Sequence, residues 1–403
     1  MSTLSITAAN TLPAGGLQGC FVGRIWLPMR SGGTPGAKGA KAGPTPVLVA
    51  DDGVYDLSAT SPTLSGLLAM DDPAAAARDG KGEKLGEVTA VLANSAYQDQ
   101  DQDQPYFLAP SDLQALKACG VTFVRSMLER VIEEQAKGDP ERAAEIRKAI
   151  GDEIGQSLAD VVPGSDEAAR VRDVLTARGL WSQYLEVGIG PDAEVFTKSQ
   201  PMAAVGIGAE IGIHPKSTWN NPEPEVVLAI APSGAIVGAC LGNDVNLRDF
   251  EGRSALLLGK AKDNRASCAV GPFIRLFDDG FNLDHVRGMQ VGLSVSGDDG
   301  FELQGQSSIA EISRDLADLA AYACGPHNQY PDGLLLFTGT MFAPTEDRDA
   351  PGQGFTHHLG DVVTISNPLL GSLSNQINHT DKIAPWTFGI GALMTNLAAR
   401  GLL

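Results

Sequence analysis

The sequence predicts an α+β, β-rich fold with a small β-rich N-terminal domain at residues 1–105 and a larger domain at residues 106–403. Two observations lead to this prediction. From residue 184 to the end, short apolar runs alternate with glycine and proline, which is typical of a sandwich, roll or barrel-like body of strands. Residues 111–180 instead place apolar side chains at helical spacing among charged ones, which predicts a helical connecting segment.

The N-terminal domain is predicted from two strand patterns and one boundary. The apolar run at residues 20–28 predicts a strand, and residues 46–58 predict a hairpin because two apolar runs flank an Asp-Gly turn. The polar tract at residues 98–104 cannot contribute to a hydrophobic core, so it marks the domain boundary.

The C-terminal body is predicted to contain eight strands. Their sequences are YLEVGIG, AEVFTK, AEIGI, EVVLAIA, AIVGACL, GMQVGLSVSG, GLLLFTGTMF and GDVVTIS. Helical interruptions are expected at residues 248–258 and 314–324. An amphipathic helix, GALMTNLAARGLL, is expected to close the chain and to pack on the body or on a second copy.

Composition excludes several classes of function. A net charge of −19 repels phosphate backbones and anionic lipid, so we expect neither nucleic-acid nor membrane binding. No apolar run approaches the roughly 20 residues that span a bilayer, and the N-terminus lacks the features of a secretory signal. The five cysteines are scattered and without CxxC spacing, so we expect free thiols in a reducing cytoplasm.

A candidate metal site begins at two glutamates. Glu223 and Glu225 project from one face of a predicted strand, about 7 Å apart, and Asp244 ends the following strand. Three carboxylates without a nearby histidine or thiolate favour magnesium, manganese or calcium over zinc. Lys262 follows as a nearby cation. The competing interpretation is a solvated strand edge that binds no metal.

These residues belong to a longer pattern that resembles the fumarylacetoacetate hydrolase superfamily. The pattern comprises Glu-x-Glu, a second strand, Asp-x-Asn-x-Arg-Asp at 244–249, Ala-Lys-Asp-Asn, and a closing Thr-Gly-Thr, Gly-Asp and Gly-x-Leu-x-Asn series. The resemblance extends from about residue 45 to the end of the chain. It implies a mixed β-roll or sandwich catalytic domain of that superfamily's type, behind a smaller N-terminal domain.

The resemblance assigns roles to individual residues. It implies that Glu223, Glu225 and Asp244 bind the metal, that Lys262 contacts the chelated keto acid, and that Thr340 contacts the substrate carboxylate. Arg248 and Glu251, which follow the third ligand, are further candidates for substrate contact or for supporting the ligands.

A second segment distinguishes branches of the superfamily. Many members carry Asn, Tyr, His and Glu at positions that Thr122, Phe123, Ser126 and Glu129 occupy here. The missing histidine argues against water activation for C–C hydrolysis. The resemblance therefore implies that Glu129 and Ser126 take part in catalysis while Thr122 and Phe123 line the substrate site.

With this departure, the sequence resembles the sugar-acid dehydratase branch. The resemblance implies a magnesium-dependent dehydratase, with manganese as the alternative ion, acting on a 2-keto-3-deoxy-pentonate such as the D-xylonate or D-arabinonate derivative. It also implies a homodimer or homotetramer. The alternatives are a C–C hydrolase or decarboxylase of acylpyruvate-type 2-keto acids, and a non-catalytic metal-dependent keto-acid binding protein.

Overall fold

A computed structural model describes residues 4–29, 42–123, 127, 161–177, 179, 181–342, 344, 346–349 and 354–403. Within these residues the chain forms eighteen strands. The first nine are β1 Cys20–Leu27, β2 Gly43–Ala50, β3 Gly53–Asp56, β4 Lys84–Gly86, β5 Tyr106–Leu108, β6 Ala115–Gly120, β7 Glu194–Ser199, β8 Glu210–Ile213 and β9 Asn220–Asn221. The others are β10 Pro224–Ile230, β11 Ile236–Asp244, β12 Asn246–Leu247, β13 Cys268–Leu276, β14 Gln290–Ser296, β15 Glu302–Ser308, β16 Leu334–Phe337, β17 Val362–Asn367 and β18 Gly371–His379.

The α-helices of the described residues are mostly short. They are α1 Ala8–Thr11, α2 Leu64–Leu68, α3 Pro73–Asp79, α4 Val88–Ala93, α5 Asp166–Ala177, α6 Gln183–Ile189, α7 Arg248–Glu251, α8 Leu258–Lys262, α9 Leu283–Arg287, α10 Leu316–Ala323 and α11 Ile390–Arg400. Single 3₁₀ turns lie at Ala255–Leu257 and Ile309–Glu311. None of these helices combines the length and the apolar character needed to cross a bilayer.

Two sheets organise the molecule. The larger has eleven strands in the order β4-β3-β2-β1-β13-β11-β10-β16-β6-β7, with β5 paired to β1. The smaller has the order β15-β14-β17-β18-β8, and β9 and β12 form a separate ribbon. Pairing is antiparallel except between β16 and β6 and between β18 and β8.

The larger sheet is buried on both faces. Alternating side chains of β10 enter different hydrophobic clusters: Val226 and Leu228 share one with Leu293 of the smaller sheet, whereas Val227 and Ala229 pack in the other. Burial on both faces explains why this strand is continuously apolar rather than alternating.

The β-rich α+β fold is confirmed, as are most predicted elements. The 46–58 hairpin forms β2 and β3, the helical interruptions appear as α7, α8 and α10, and the C-terminal helix is α11. The predicted strand YLEVGIG was wrong, because these residues lie in α6 and its continuation. Ser182 caps this helix, and Leu185, Gly188 and Ile189 form its buried face at helical spacing.

The predicted helical segment was also wrong at Ala115–Gly120, which form β6. Leu116 and Ala118 alternate into one hydrophobic cluster, and the strand pairs in parallel with β16. Long-range pairing therefore overrides the local helical spacing. The proposed division of the chain at residue 105 stays a prediction. Strand β1, which precedes it, pairs with β13, which follows it.

Candidate metal centre

The site lies where two antiparallel strand pairs meet. The ribbon β9–β12 and the pair β10–β11 have the same register, although the chain breaks strand geometry between them. Glu223 therefore lies opposite Asp244, whose amide nitrogen donates to the Glu223 carbonyl oxygen at 3.0 Å. Because side chains two residues apart share a face, Glu225 projects on the same side.

This face changes from apolar to acidic along the strand. Val227 and Ala229 occupy it inside the hydrophobic core, and the two glutamates follow where the strand leaves the core. Packing of the apolar part fixes the orientation of the strand, so the carboxylates are directed towards one point. Candidate ligand oxygens of Glu223, Glu225 and Asp244 lie within 4.8 Å of one another.

The three carboxylates are buried, with exposed fractions of 5% for Glu223 and 1% each for Glu225 and Asp244. Lys262, at the end of α8, donates hydrogen bonds from Nζ to Glu223 Oε2 and to Asp244 Oδ2, the latter at 3.0 Å. The predicted cation thus lies between two of the predicted ligands.

A second lysine, Lys198 on β7, completes the cluster, and the sequence did not reveal it. Its side chain is fully buried, with Nζ 2.8 Å from Asp244 Oδ1. The ammonium group donates to the carbonyl oxygens of Val245 at 3.0 Å and Lys262 at 2.6 Å. A lysine at an inward-facing strand position was the available signal, since such a charge is rarely buried without a partner.

Proximity of like charges changes the acidity of the centre. Burial and the carboxylates of Asp244 and Glu223 raise the pKa of Glu225 well above its usual value, against the opposing effects of Lys262 and of the Gly339 amide. Burial lowers the pKa of Lys262, but Asp244 and Glu223 raise it by more, so this side chain stays protonated.

The loop after β16 borders the ligands. The Gly339 amide nitrogen donates to Glu225 Oε2 at 2.6 Å, and the hydroxyl of Thr122 donates to the Thr338 carbonyl oxygen at 2.7 Å. Gly339 has a φ of +94°, and a Cβ there would lie 2.0 Å from Thr122 Oγ1. Thr122 therefore holds the loop through Thr338, and its hydroxyl occupies the space that a side chain at position 339 would need. Glycine is required at position 339 for this reason.

The remaining predicted substrate contacts occupy varied environments. The hydroxyl of Thr340 bonds within its own loop, accepting from Phe342 N at 3.1 Å. The guanidinium of Arg248 stacks on Trp219 with a separation of 4.2 Å from the ring centroid. Glu251 accepts a hydrogen bond from Asn246 Nδ2.

Three residues of the second segment have roles that stay predictions. Phe123 is buried in the main hydrophobic cluster, and its role in substrate binding stays a prediction. Ser126 and Glu129 lie outside the described residues, so their proposed catalytic roles also stay predictions.

The donor set fits a divalent metal of hard character. Asp244 Oδ1 receives no hydrogen bond within the described part of the chain, although Lys198 is near enough for ionic attraction. Carboxylate oxygens are the ligands that magnesium and manganese prefer, and three of them leave coordination positions open. Glu223, Glu225 and Asp244 would hold such an ion.

Comparisons with known proteins match a family model and two curated relatives. A family model described as fumarylacetoacetate (FAA) hydrolase C-terminal matches residues 186–378. A probable 2-keto-3-deoxyxylonate dehydratase of Haloferax volcanii is 27% identical over 263 residues, which cover 60% of this chain and 87% of the relative. A 2-dehydro-3-deoxy-D-arabinonate dehydratase of Saccharolobus solfataricus is 28% identical over 190 residues, 47% of this chain and 60% of that relative.

Solved structures support the fold. An apo 2-keto-3-deoxy-D-arabinonate dehydratase matches with a TM-score of 0.58 and 19% identity, over 89% of this chain and 99% of the other. The same enzyme complexed with magnesium and 2,5-dioxopentanoate matches with a TM-score of 0.56 and 20% identity over the same shares. Residues 186–378 of the chain are therefore similar to the fumarylacetoacetate hydrolase C-terminal family.

Proposed function

We propose that this protein is a magnesium-dependent hydro-lyase. It converts a 2-keto-3-deoxy-pentonate, such as 2-keto-3-deoxy-D-xylonate, to 2,5-dioxopentanoate (α-ketoglutaric semialdehyde) and water in oxidative pentose catabolism. The observation that carries the proposal is the buried cluster of Glu223, Glu225, Asp244 and Lys262 in a domain shared with two relatives described as dehydratases of such acids. A structural neighbour that contains magnesium and 2,5-dioxopentanoate supports the ion and the product.

The residues suit this reaction. A divalent ion held by Glu223, Glu225 and Asp244 would polarise the ketone and so acidify the neighbouring carbon 3. Lys262 has three N–H groups, and two of them bond to Glu223 and Asp244. We assign the third to the keto-acid oxygen atoms, where it would stabilise the negative charge that develops.

Proton transfer is assigned to the segment that contains Ser126 and Glu129. Loss of a proton from carbon 3 and of the hydroxyl group from carbon 4 releases water, and a proton shift from carbon 5 gives the terminal aldehyde. We assign one of these transfers to Glu129, with Ser126 and Thr340 as neutral hydrogen-bonding groups, while the hydroxyl of Thr122 holds the loop at Thr338. Ser126 at the histidine position of hydrolytic members favours dehydration over C–C hydrolysis.

An activity assay tests the reaction. Purified protein with magnesium is incubated with a panel of 2-keto-3-deoxy acids and with acylpyruvates, and semialdehyde is detected by a coupled dehydrogenase. We expect semialdehyde from a pentonate and no cleavage of acylpyruvates. Cleavage of an acylpyruvate without semialdehyde formation would instead identify a hydrolase or decarboxylase, and binding without turnover of either would identify a binding protein.

A single substitution tests the proton-transfer assignment. Glu129→Gln keeps the size of the side chain but removes its basicity, so we expect turnover to fall by about 10²–10⁴-fold. Binding of magnesium and pyruvate, measured by calorimetry, should stay within about twofold of the wild type. Near-normal turnover in this variant excludes Glu129 as the acid or base.

Cytoplasmic location and assembly into a homodimer or homotetramer complete the proposal. All five cysteines are buried and free, which suits a reducing compartment. Helix α11 exposes the apolar side chains of Ile390 and Met394, one turn apart on the same face, which suits contact with a second copy. Sedimentation of the purified protein tests the assembly.

A further inference from the structure

Two asparagines extend the face that carries the metal ligands. Asn221 on β9 pairs directly with Asn246 on β12. The common register places this pair two residues beyond Glu223 and Asp244, on the same face and about 7 Å further along the strands. Both asparagines are buried, with exposed fractions of 2% and 0%.

Neighbouring groups fix how both amides are turned. Asn221 Nδ2 donates to the Pro222 carbonyl oxygen at 2.9 Å, and Asn246 Nδ2 donates to Glu251 Oε2 at 2.5 Å. A carbonyl and a carboxylate can only accept, so an inverted amide would place two acceptors in contact. The Oδ1 atoms are therefore the free ends of both side chains.

Neither Oδ1 atom has a hydrogen-bond partner within the described part of the chain. Buried acceptors are nearly always satisfied, so an unpaired pair beside a ligand site indicates that a ligand supplies the donors. Hydroxyl groups are donors that can meet two amide oxygens without adding charge.

We propose that Asn221 and Asn246 form a subsite that accepts hydrogen bonds from the distal hydroxyl groups of a chelated 2-keto acid. The inference rests on the proposed function for the position of the keto acid at Glu223, Glu225 and Asp244. From there a five-carbon chain extends towards the asparagines. An acylpyruvate with an apolar tail leaves both oxygen atoms unpaired, whereas a hydroxylated sugar acid satisfies them. The subsite thus selects hydroxylated substrates.

Calorimetry with two unreactive probes tests the subsite. In the presence of magnesium, 5-hydroxy-2-oxopentanoate is compared with 2-oxopentanoate, which differs only by the hydroxyl group. Neither probe has a hydroxyl group on carbon 4, so neither can undergo the dehydration. We expect the wild type to bind the hydroxylated probe about tenfold more tightly, since one hydrogen bond satisfies a buried acceptor.

Matched variants separate recognition from folding. In Asn221→Leu and Asn246→Leu we expect the preference to fall to about twofold or less, with affinity for 2-oxopentanoate within about threefold of the wild type. Asn220→Leu is the control, because Asn220 is the adjacent residue on β9 and its side chain points to the opposite face. This control should retain the tenfold preference.

The possible results are distinguishable. Equal binding of the two probes by the wild type overturns the subsite without the need for any variant. Equal loss of affinity for both probes in the two leucine variants also overturns it, because that is the result of a structural role. A tenfold preference in a protein that dehydrates no pentonate supports the subsite and contradicts the proposed function. Dehydration of a pentonate without the preference supports the proposed function and contradicts the subsite. A protein that binds neither probe overturns both the subsite and the proposed function.

Discussion

Replacing Glu225 by glutamine should stabilise the metal-free protein while weakening its response to magnesium. Glu225 is buried with two carboxylates, and the candidate ligand oxygens lie within 4.8 Å of one another. At an effective dielectric constant of about 20, each such pair of charges repels by about 3 kcal/mol. Lys262 offsets roughly one of the two repulsions, and the raised pKa of Glu225 lowers its average charge further. The expected gain in free energy of unfolding is therefore about 1–3 kcal/mol.

Magnesium should stabilise the wild type by at least about 1.3 kcal/mol more than the variant. At a free magnesium concentration of about 100 times the dissociation constant, the wild type gains about 2.7 kcal/mol. If loss of one of three carboxylate ligands weakens binding at least tenfold, the variant gains about 1.4 kcal/mol or less at the same concentration. Glutamine can still accept the hydrogen bond from Gly339, so the loop is retained.

Urea unfolding at neutral pH, with EDTA or with magnesium, measures both effects. Glu302→Gln is the matched control, since Glu302 is exposed on β15 and its replacement changes net charge equally. The control should shift neither value by more than about 0.5 kcal/mol. The reasoning is refuted if Glu225→Gln is less stable than the wild type in EDTA, or if magnesium stabilises both proteins equally.

Three further substitutions test other parts of the site and its support. Lys198→Met should lower the free energy of unfolding by about 3–5 kcal/mol, because Asp244 loses a buried ionic partner; an effect below about 1 kcal/mol in urea unfolding contradicts this. Gly339→Ala should cost about 1–3 kcal/mol and weaken magnesium binding in calorimetry, because its φ of +94° disfavours a Cβ; unchanged stability contradicts the assigned backbone requirement. Burial raises the pKa of Asp361, but hydrogen bonds from Arg348 and His357 outweigh it and lower this pKa to about 2. The folded state is thus stabilised above the unfolded pKa of about 3.9 and loses about 2–3 kcal/mol as pH falls from about 5 to 2. Asp361→Asn should be less stable by that amount at pH 7 and should show a shallower decline in acid, and parallel pH profiles for the two proteins contradict the assignment.

The cluster of three carboxylates could be predicted because its arrangement depends on local rules. Glu223 and Glu225 share a face through the two-residue period of a strand, and a hairpin returns Asp244 to the same end. Lys262 lies only 18 residues beyond Asp244 and contacts it directly. Short separations along the chain therefore made most of this cluster visible in the sequence.

Lys198 could not be predicted in the same way. It reaches the ligands because β7 pairs with β6, which pairs with β16, which in turn pairs with β10. No local pattern encodes that series of long-range pairings. The free amide oxygen atoms of Asn221 and Asn246 depend equally on the register and on which neighbours accept hydrogen bonds.

The two errors in secondary structure have a related origin. Short apolar segments suit either a strand or one face of a helix, and tertiary pairing decides between them. Ala115–Gly120 pairs with β16 and becomes a strand, whereas Gln183–Ile189 has a serine cap and becomes a helix. The cap was visible in the sequence, but the pairing was not.

The charges of the centre constrain what it binds. Glu223, Glu225 and Asp244 carry three negative charges when ionised, and Lys198 and Lys262 carry two positive ones. Among these five side chains a divalent cation changes the balance from one negative charge to one positive charge. The proposed substrate, a keto acid with a single carboxylate, would then neutralise the buried cluster, whereas a monovalent cation would leave no positive charge to attract it. Neutralisation by the proposed ion and substrate together accounts for the presence of two lysines beside three carboxylates. With fewer lysines the metal-free centre would have a larger buried negative charge. With more lysines the centre would repel the metal ion.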